Sequence, residues 1–239
     1  MKIISLLWEI LFCLSFLIYL MIYFIYLILK LFLPRKVSRH ILQTIAKFWA
    51  KMVVLSTGSK VVVTGKENLP SSGNICFVSN HQGLFDIPVI LGFLGVHTGF
   101  VAKRELFRIP VLSQWMREMP CTFIDRRNPR KAIQTFQKSA ELIKKGNPMV
   151  IFPEGTRSRS DKIGNFHLGS LKLPIMADAT IVPLAIKGSW RIYEIDKRIH
   201  SATVYLKILP PIKPTDDIYK DKQKLSTYLH SQISQALEE

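Results

Sequence analysis

Residues 3 to 33, IISLLWEILFCLSFLIYLMIYFIYLILKLFL, carry only two charges, Glu9 and Lys30, and none at all between Ile10 and Leu29. Twenty helical residues rise roughly 30 Å, about the hydrocarbon thickness of a bilayer, so this segment predicts a membrane-embedded helix. It is longer than the apolar stretch of a cleaved signal, and PRKVSRH follows it in place of a small-residue cleavage site. The segment is therefore expected to be retained. Lys30, Arg35, Lys36 and Arg39 lie just after it and only Lys2 before it, which puts the bulk of the chain on the cytoplasmic face.

The next stretch, residues 38 to 57, places Ile41, Leu42, Ile45, Phe48, Trp49 and Met52 on one helical face, and Gly58 ends the pattern. Two packings suit such a face: an ordinary core helix, or a basic amphipathic helix lying in the membrane interface. Residues 1–57 are thus expected to be membrane-associated helices, with residues 58–239 forming the folded body. That body is strongly basic, because the whole chain has a net charge of +16 while Lys2 and Glu9 cancel within the first 29 residues. Such a balance suits anionic lipid surfaces, phosphorylated substrates or nucleic acid, and membrane attachment favours the first two. No basic motif interleaved with aromatics points to nucleic acid. Cys13, Cys76 and Cys121 lie far apart in apolar runs, which fits buried thiols in a reducing compartment better than disulfides or metal ligation.

Beyond residue 58 the pattern changes to short apolar runs alternating with helical periodicity. KVVVTG, NICFVSN, TGFVAK, CTFID, PMVIF, TIVPLAI and TVYLKIL read as strands. The clearest helix has Asn128 as its cap, Pro129 in its first turn, Ala132, Ile133, Phe136, Ala140 and Ile143 on its inner face, and Gly146 as terminator. A last helix runs through KLSTYLHSQISQALEE. The alternation predicts an α/β fold, a single domain with a central sheet flanked by helices.

Polar clusters recur at the carboxyl ends of four of these strands: Asn80 and His81; Lys103, Arg104 and Glu105; Asp125, Arg126 and Arg127; Glu154, Gly155, Thr156 and Arg157. In open α/β sheets ligands bind at that edge, so the four could converge on one site. Two explanations fit NHQGLFD, residues 80 to 86: a turn capped by Asn80 and Asp86, or a base, His81, with its orienting carboxylate, Asp86. The chain has no Ser-His-Asp order, HExxH or Walker loop. If His81 is a base, the nucleophile has to come from the substrate, as a hydroxyl deprotonated at Nε2. Lys103, Arg126 and Arg157 offer charge and guanidinium forks suited to a phosphate, and Gly155 lets backbone approach closely. Gly83 or its neighbours could present N–H groups to a tetrahedral intermediate, although turn flexibility explains a glycine equally well.

NHQGLFD, AKREL, TFIDRR, FPEGTRS and IVPLAI, in this order, resemble the conserved blocks of the glycerolipid acyltransferase family over about residues 60 to 190. The resemblance implies transfer of a fatty acyl group from a thioester, acyl-CoA or acyl carrier protein, to the 2-hydroxyl of a 1-acylglycerol 3-phosphate, giving phosphatidic acid at the cytoplasmic face of a bacterial inner membrane. It implies His81 as base and Asp86 as its partner. Lys103, Arg126, Glu154, Gly155, Thr156 and Arg157 would bind the substrate, with no metal and no cofactor. Other acceptors, glycerol 3-phosphate or another lyso-lipid, stay open, as does a membrane-tethered module that only binds anionic ligands. Where many members have a glycine, this chain has Pro120, which leaves the shape of the loop before Thr122 open. The N-terminal helices of that family can sit in one leaflet, so embedding without spanning is equally open. Leu91, Phe93 and Leu94 follow Asp86 in an apolar stretch whose first expectation is a core helix; lining for an acyl chain is the alternative.

Overall fold

The computed structural model describes residues 2–238. Two helices open the chain, α1 (Lys2–Phe32) and α2 (Arg35–Ser56), joined through Leu33 and Pro34. Pro34 cannot continue the first helix, and its fixed φ suits the residue just before a new one. The outward face of α1, including Leu7, Leu11, Leu14, Met21, Phe24, Ile28 and Phe32, is exposed. This helix is long and apolar enough to cross a membrane. Its other face is tied down along its length. Ser5 Oγ accepts from the Ile199 N–H at 3.2 Å, and Trp8 Nε1 donates to Ser56 Oγ at 2.9 Å. Tyr19 and Tyr23 meet the Trp115 ring, and Lys30 Nζ reaches Glu118 at 2.6 Å.

The sheet has seven strands: β1 (Lys60–Thr64), β2 (Ile75–Ser79), β3 (Gly99–Lys103), β4 (Thr122–Ile124), β5 (Met149–Ile151), β6 (Thr180–Lys187) and β7 (Thr203–Ile208). Their order is β1-β7-β6-β2-β5-β3-β4. From β6 to β4 every neighbouring pair is parallel. At the other edge β7 turns back antiparallel to β6 and β1 runs parallel to β7. All seven segments expected as strands form them.

Helices α3 (Asp86–Phe93), α4 (Leu112–Glu118), α5 (Pro129–Lys144), α6 (Lys172–Met176) and α7 (Lys222–Glu238) complete the fold. The pleat divides the core in two. Ile75 and Phe77 of β2, Val150 of β5 and Val182, Leu184 and Ile186 of β6 face α2 and α3. Cys76 and Val78, with Met149 and Ile151, face α5, α6 and α7. Burial on both faces explains why β2, β5 and β6 read as continuous apolar runs rather than alternating ones.

Several expected faces are displaced. On α2 the buried stripe is Leu42, Ala46, Ala50, Val53 and Val54, whereas Phe48 and Met52 point outward. Small residues win because α2 lies directly on α3. A Cβ on Gly92 would come within 2.8 Å of the Lys51 nitrogen. On α5 the cap is as expected, Asn128 Oδ1 accepting from Lys131 N at 3.1 Å, but Ile133 is exposed and Ser139 takes an inward position. Ser139 is accommodated by the hydroxyl of Thr122 at 2.7 Å. Cys76 is buried and burial pushes its thiol well up, while Cys13 lies exposed on α1. Leu91 and Leu94 are core residues, and Phe93 packs half-buried near the Lys51 ammonium, 5.9 Å from its ring centre.

Candidate functional site

The four parallel strands β2, β5, β3 and β4 end on the same edge of the sheet, so the segments that follow them are neighbours. His81 stands two residues beyond β2, before Asp86 begins α3. Its Nδ1 lies 2.6 Å from Asp86 Oδ2, and Asp86 is fully buried while the histidine side chain keeps 17% of its surface. The same carboxylate oxygen accepts the N–H groups of Gln82 at 2.7 Å and Gly83 at 3.0 Å, and the other oxygen accepts a short hydrogen bond from Ser189 Oγ. An oxygen already accepting two N–H groups requires a donor at the imidazole, so the proton sits on Nδ1 and the lone pair on Nε2. The ring is stacked on Phe152, with centroids 4.2 Å apart and planes inclined by 21°.

Every backbone N–H from 81 to 84 is spent on a carboxylate. His81 N donates to Glu154 Oε1 at 2.6 Å, Gln82 and Gly83 donate to Asp86, and Leu84 N donates to Glu194 Oε1 at 3.2 Å. Gly83 is therefore not a free donor for an oxyanion, and of the two explanations for this glycine its contacts fit the turn. Glu154 also departs from its expected role. It is buried, and its second oxygen accepts the Gly164 N–H at 2.7 Å, so both oxygens tie backbone segments together. Burial pushes its carboxyl up, opposed by the N–H groups of His81 and Gly164.

The turn after β5 meets this loop directly. Ser158 N donates to His81 O at 2.8 Å and Arg159 N to Gln82 O at 3.0 Å. Gly155 has φ +70°, and a Cβ there would lie 3.1 Å from His167 and 3.4 Å from Arg126 Nη1, so a bare backbone is needed. Arg126 lines a small cavity with Phe152, Ile151 and Ser170 and has no ion-pair partner among the described residues. Thr156 is exposed beside it in sequence. Arg157 Nη1 reaches Glu194 Oε1 at 2.6 Å and keeps a third of its surface. Lys103 is not drawn into contact with this group; its Nζ sits 3.6 Å from Glu105 and both are exposed. Arg104 pairs with Asp125 at 2.6 Å.

Comparison with known proteins now bears on this arrangement. The acyltransferase family matches residues 60–187. The chain belongs to that family. A chloroplastic 1-acyl-sn-glycerol-3-phosphate acyltransferase of Brassica napus is 36% identical over 149 residues, covering 62% of this chain and 43% of the relative. A probable 1-acyl-sn-glycerol-3-phosphate acyltransferase of Mycoplasma pneumoniae is 33% identical over 191 residues, covering 74% and 71%. The crystal structure of the Thermotoga maritima 1-acyl-sn-glycerophosphate acyltransferase PlsC superposes with a TM-score of 0.85 at 29% identity, covering 99% of this chain and 96% of that one. The chain spans less than half the length of the chloroplastic relatives of Brassica napus and Arabidopsis thaliana.

Sequence reasoning missed Ser189, Glu194 and the structural part of Gln82, whose Oε1 accepts the Gly188 N–H at 2.8 Å. Asn80 likewise pairs with Ile186 in both directions, at 2.8 and 2.9 Å. These partners lie more than 100 residues apart in the chain, and no local pattern signals them.

Proposed function

We propose that this acyltransferase moves a fatty acyl group from a thioester to the 2-hydroxyl of 1-acylglycerol 3-phosphate, giving phosphatidic acid. One observation carries the reading: His81 is fixed through Nδ1 to a buried carboxylate, and Nε2 is left without a protein partner among the described residues. No serine or cysteine side chain is hydrogen-bonded to the ring among those residues, so the acceptor supplies the nucleophile. Nε2 takes the hydroxyl proton as the oxygen attacks the thioester carbonyl, and returns it to the sulfur as the C–S bond breaks. Asp86 stabilises the imidazolium between those steps. Arg126 and Arg157 receive the acceptor phosphate, and Thr156 and Gly155 line its approach; Lys103, paired with Glu105, stands outside that group.

The membrane reading belongs with this chemistry. Contacts from Ser5 to Lys30 hold α1 against the body over about 38 Å, so the helix lies along the protein instead of leaving it. We place it in the cytoplasmic leaflet, apolar face down, with the outward Phe48 and Met52 of α2 beside it. There a lipid acceptor and a soluble donor, acyl-CoA or acyl carrier protein, can both reach the strand ends. Purified protein given radiolabelled lysophosphatidic acid and each donor should form labelled phosphatidic acid. Product with glycerol 3-phosphate but none with lysophosphatidic acid would overturn the acceptor assignment, and no product from any acceptor would overturn the reaction.

A further inference from the structure

Glu194 follows β6 and the short turn Ser189–Ile192, and its side chain is entirely buried. Three cations converge on it: Arg157 at 2.6 Å, Arg159 Nε at 3.7 Å, and Lys197 Nζ in a short contact. One carboxylate cannot neutralise three cations. Two positive charges are left over, on side chains that keep 58% of their surface at Arg159 and 51% at Lys197. Burial alone would raise the Glu194 carboxyl, yet Lys197 and Arg157 hold it below the ordinary carboxylate range, so the charge is a fixed mount for the cations.

The backbone marks the same two residues. Only four non-glycine residues with positive φ occur among the described residues, and Arg159 at +55° and Lys197 at +61° are two of them. A glycine would meet that conformation without strain but would carry no charge. Leu84, whose N–H donates to Glu194, and Ile195, next to Glu194 in the chain, are exposed at 53% and 56%.

With Arg157 assigned to the acceptor phosphate, Arg159 and Lys197 are the cations of this cluster that the acceptor leaves unused. Its phosphate is one carbon and one ester oxygen away from the carbon bearing the reacting hydroxyl, so the cation that grips it has to stand close to His81; Arg126 lines a cavity with Phe152, the ring stacked on His81. Arg159 and Lys197 pair with Glu194 instead. The donor brings a second phosphate: a thioester on a phosphopantetheine arm puts its reactive atom at His81 and carries its phosphate at the other end of the arm. The arm also has apolar and amide segments to lie over Leu84 and Ile195.

Resting on the acyl-transfer reading above, we propose that Arg159 and Lys197, mounted on Glu194, form the subsite for the phosphate at the end of the donor's phosphopantetheine arm. Coenzyme A and a carrier protein share that phosphate, and the kinetic arms separate them. Arg159→Ala and Lys197→Ala should each raise the donor KM about tenfold with acyl-CoA and with acyl carrier protein, leaving the acceptor KM in place. An effect with one donor alone assigns the subsite to that donor. The same variants should lose little with an acyl-pantetheine, which lacks the phosphate, and Arg159→Lys should recover part of the loss. Calorimetry with 4′-phosphopantetheine reads the subsite without turnover: the unaltered protein in detergent should bind it and the double variant should not. A raised acceptor KM, equal losses with acyl-pantetheine, or 4′-phosphopantetheine binding that is absent or unchanged by the substitutions would overturn the subsite. Absence of turnover in the unaltered protein would instead strike the reaction itself, with the binding result still deciding this point.

Discussion

Two replacements of Asp86 should part catalysis from folding. Its carboxylate accepts from His81 Nδ1, Gln82 N, Gly83 N and Ser189 Oγ in a site with no solvent exposure. In Asp86→Asn the amide oxygen can keep the three contacts at Oδ2, and the amide nitrogen can donate to Ser189 Oγ, whose own proton can turn to Gln82 Oε1, now 3.4 Å away. Every donor retains an acceptor, so stability should fall by no more than about 1 kcal/mol. The charge that steadied the imidazolium is gone, and kcat should fall about 100- to 10,000-fold. Asp86→Ala instead orphans two backbone N–H groups and an imidazole N–H. At about 1–3 kcal/mol for each unsatisfied group, partly relieved by water entering the vacated space, the loss should reach about 3–6 kcal/mol. That is a large share of the roughly 5–15 kcal/mol that holds a protein folded. Thermal unfolding in detergent, followed by intrinsic fluorescence, should put Asp86→Asn within about 4 °C of the parent and Asp86→Ala about 10 °C or more below it. Asp86→Asn turning over within threefold of the parent would refute the role of the charge. An unfolding temperature as low as that of the alanine variant would show that the carboxylate serves chiefly as a fold anchor.

Gly92→Val should cost about 2–3 kcal/mol, because its Cβ would meet the backbone of α2 at Lys51; unchanged unfolding would mean that α2 is not seated on α3. Glu194→Gln bears on acid stability. The folded-state pKa of this carboxyl is depressed, so its stabilisation is present above the unfolded-state pKa and disappears as pH falls through the folded one; the variant should lose about 1–2 kcal/mol at neutral pH and show a flatter acid limb in unfolding titrations. Washing membranes with 1 M salt, about the level that screens surface charge within 3 Å, should leave the protein bound because α1 presents an apolar face; release into the supernatant would point to charge as the anchor.

The strands were legible as short apolar runs, and the polar clusters that stop four of them pointed to one sheet edge. Strand order was not. Nothing in TVYLKIL says that β7 reverses direction and carries β1, since period-2 burial is the same in either sense. The α2 face was misread because large apolar residues stand out in a sequence, whereas Ala46 and Ala50 matter through what they lack. The pairing of His81 with Asp86 was one of two readings of their spacing, and the family resemblance favoured it; Ser189 and Glu194 gave no such signal, because SWRIYEIDKR reads as an ordinary charged turn until the sheet brings it over. Glu154 was visible as a conspicuous acid in a recognisable block, but the backbone it binds was not.

The loop carrying His81 is assembled from partners that the ribosome makes much later. Asn80 waits for Ile186, Gln82 for Gly188, Asp86 for Ser189 and Leu84 for Glu194, separations of 103 to 110 residues. At synthesis rates of roughly 5–20 residues per second, the loop spends about 5–20 s outside the tunnel or within it before its last partner exists. Meanwhile α1 and α2 are already available to settle on the bilayer. If α1 is embedded as proposed, membrane residence precedes competence, and the nascent chain reaches the lipid while its histidine has no fixed direction. On the proposed reading, a ribosome that stalls before residue 186 leaves behind an anchored but silent fragment, one that cannot consume thioesters at the membrane.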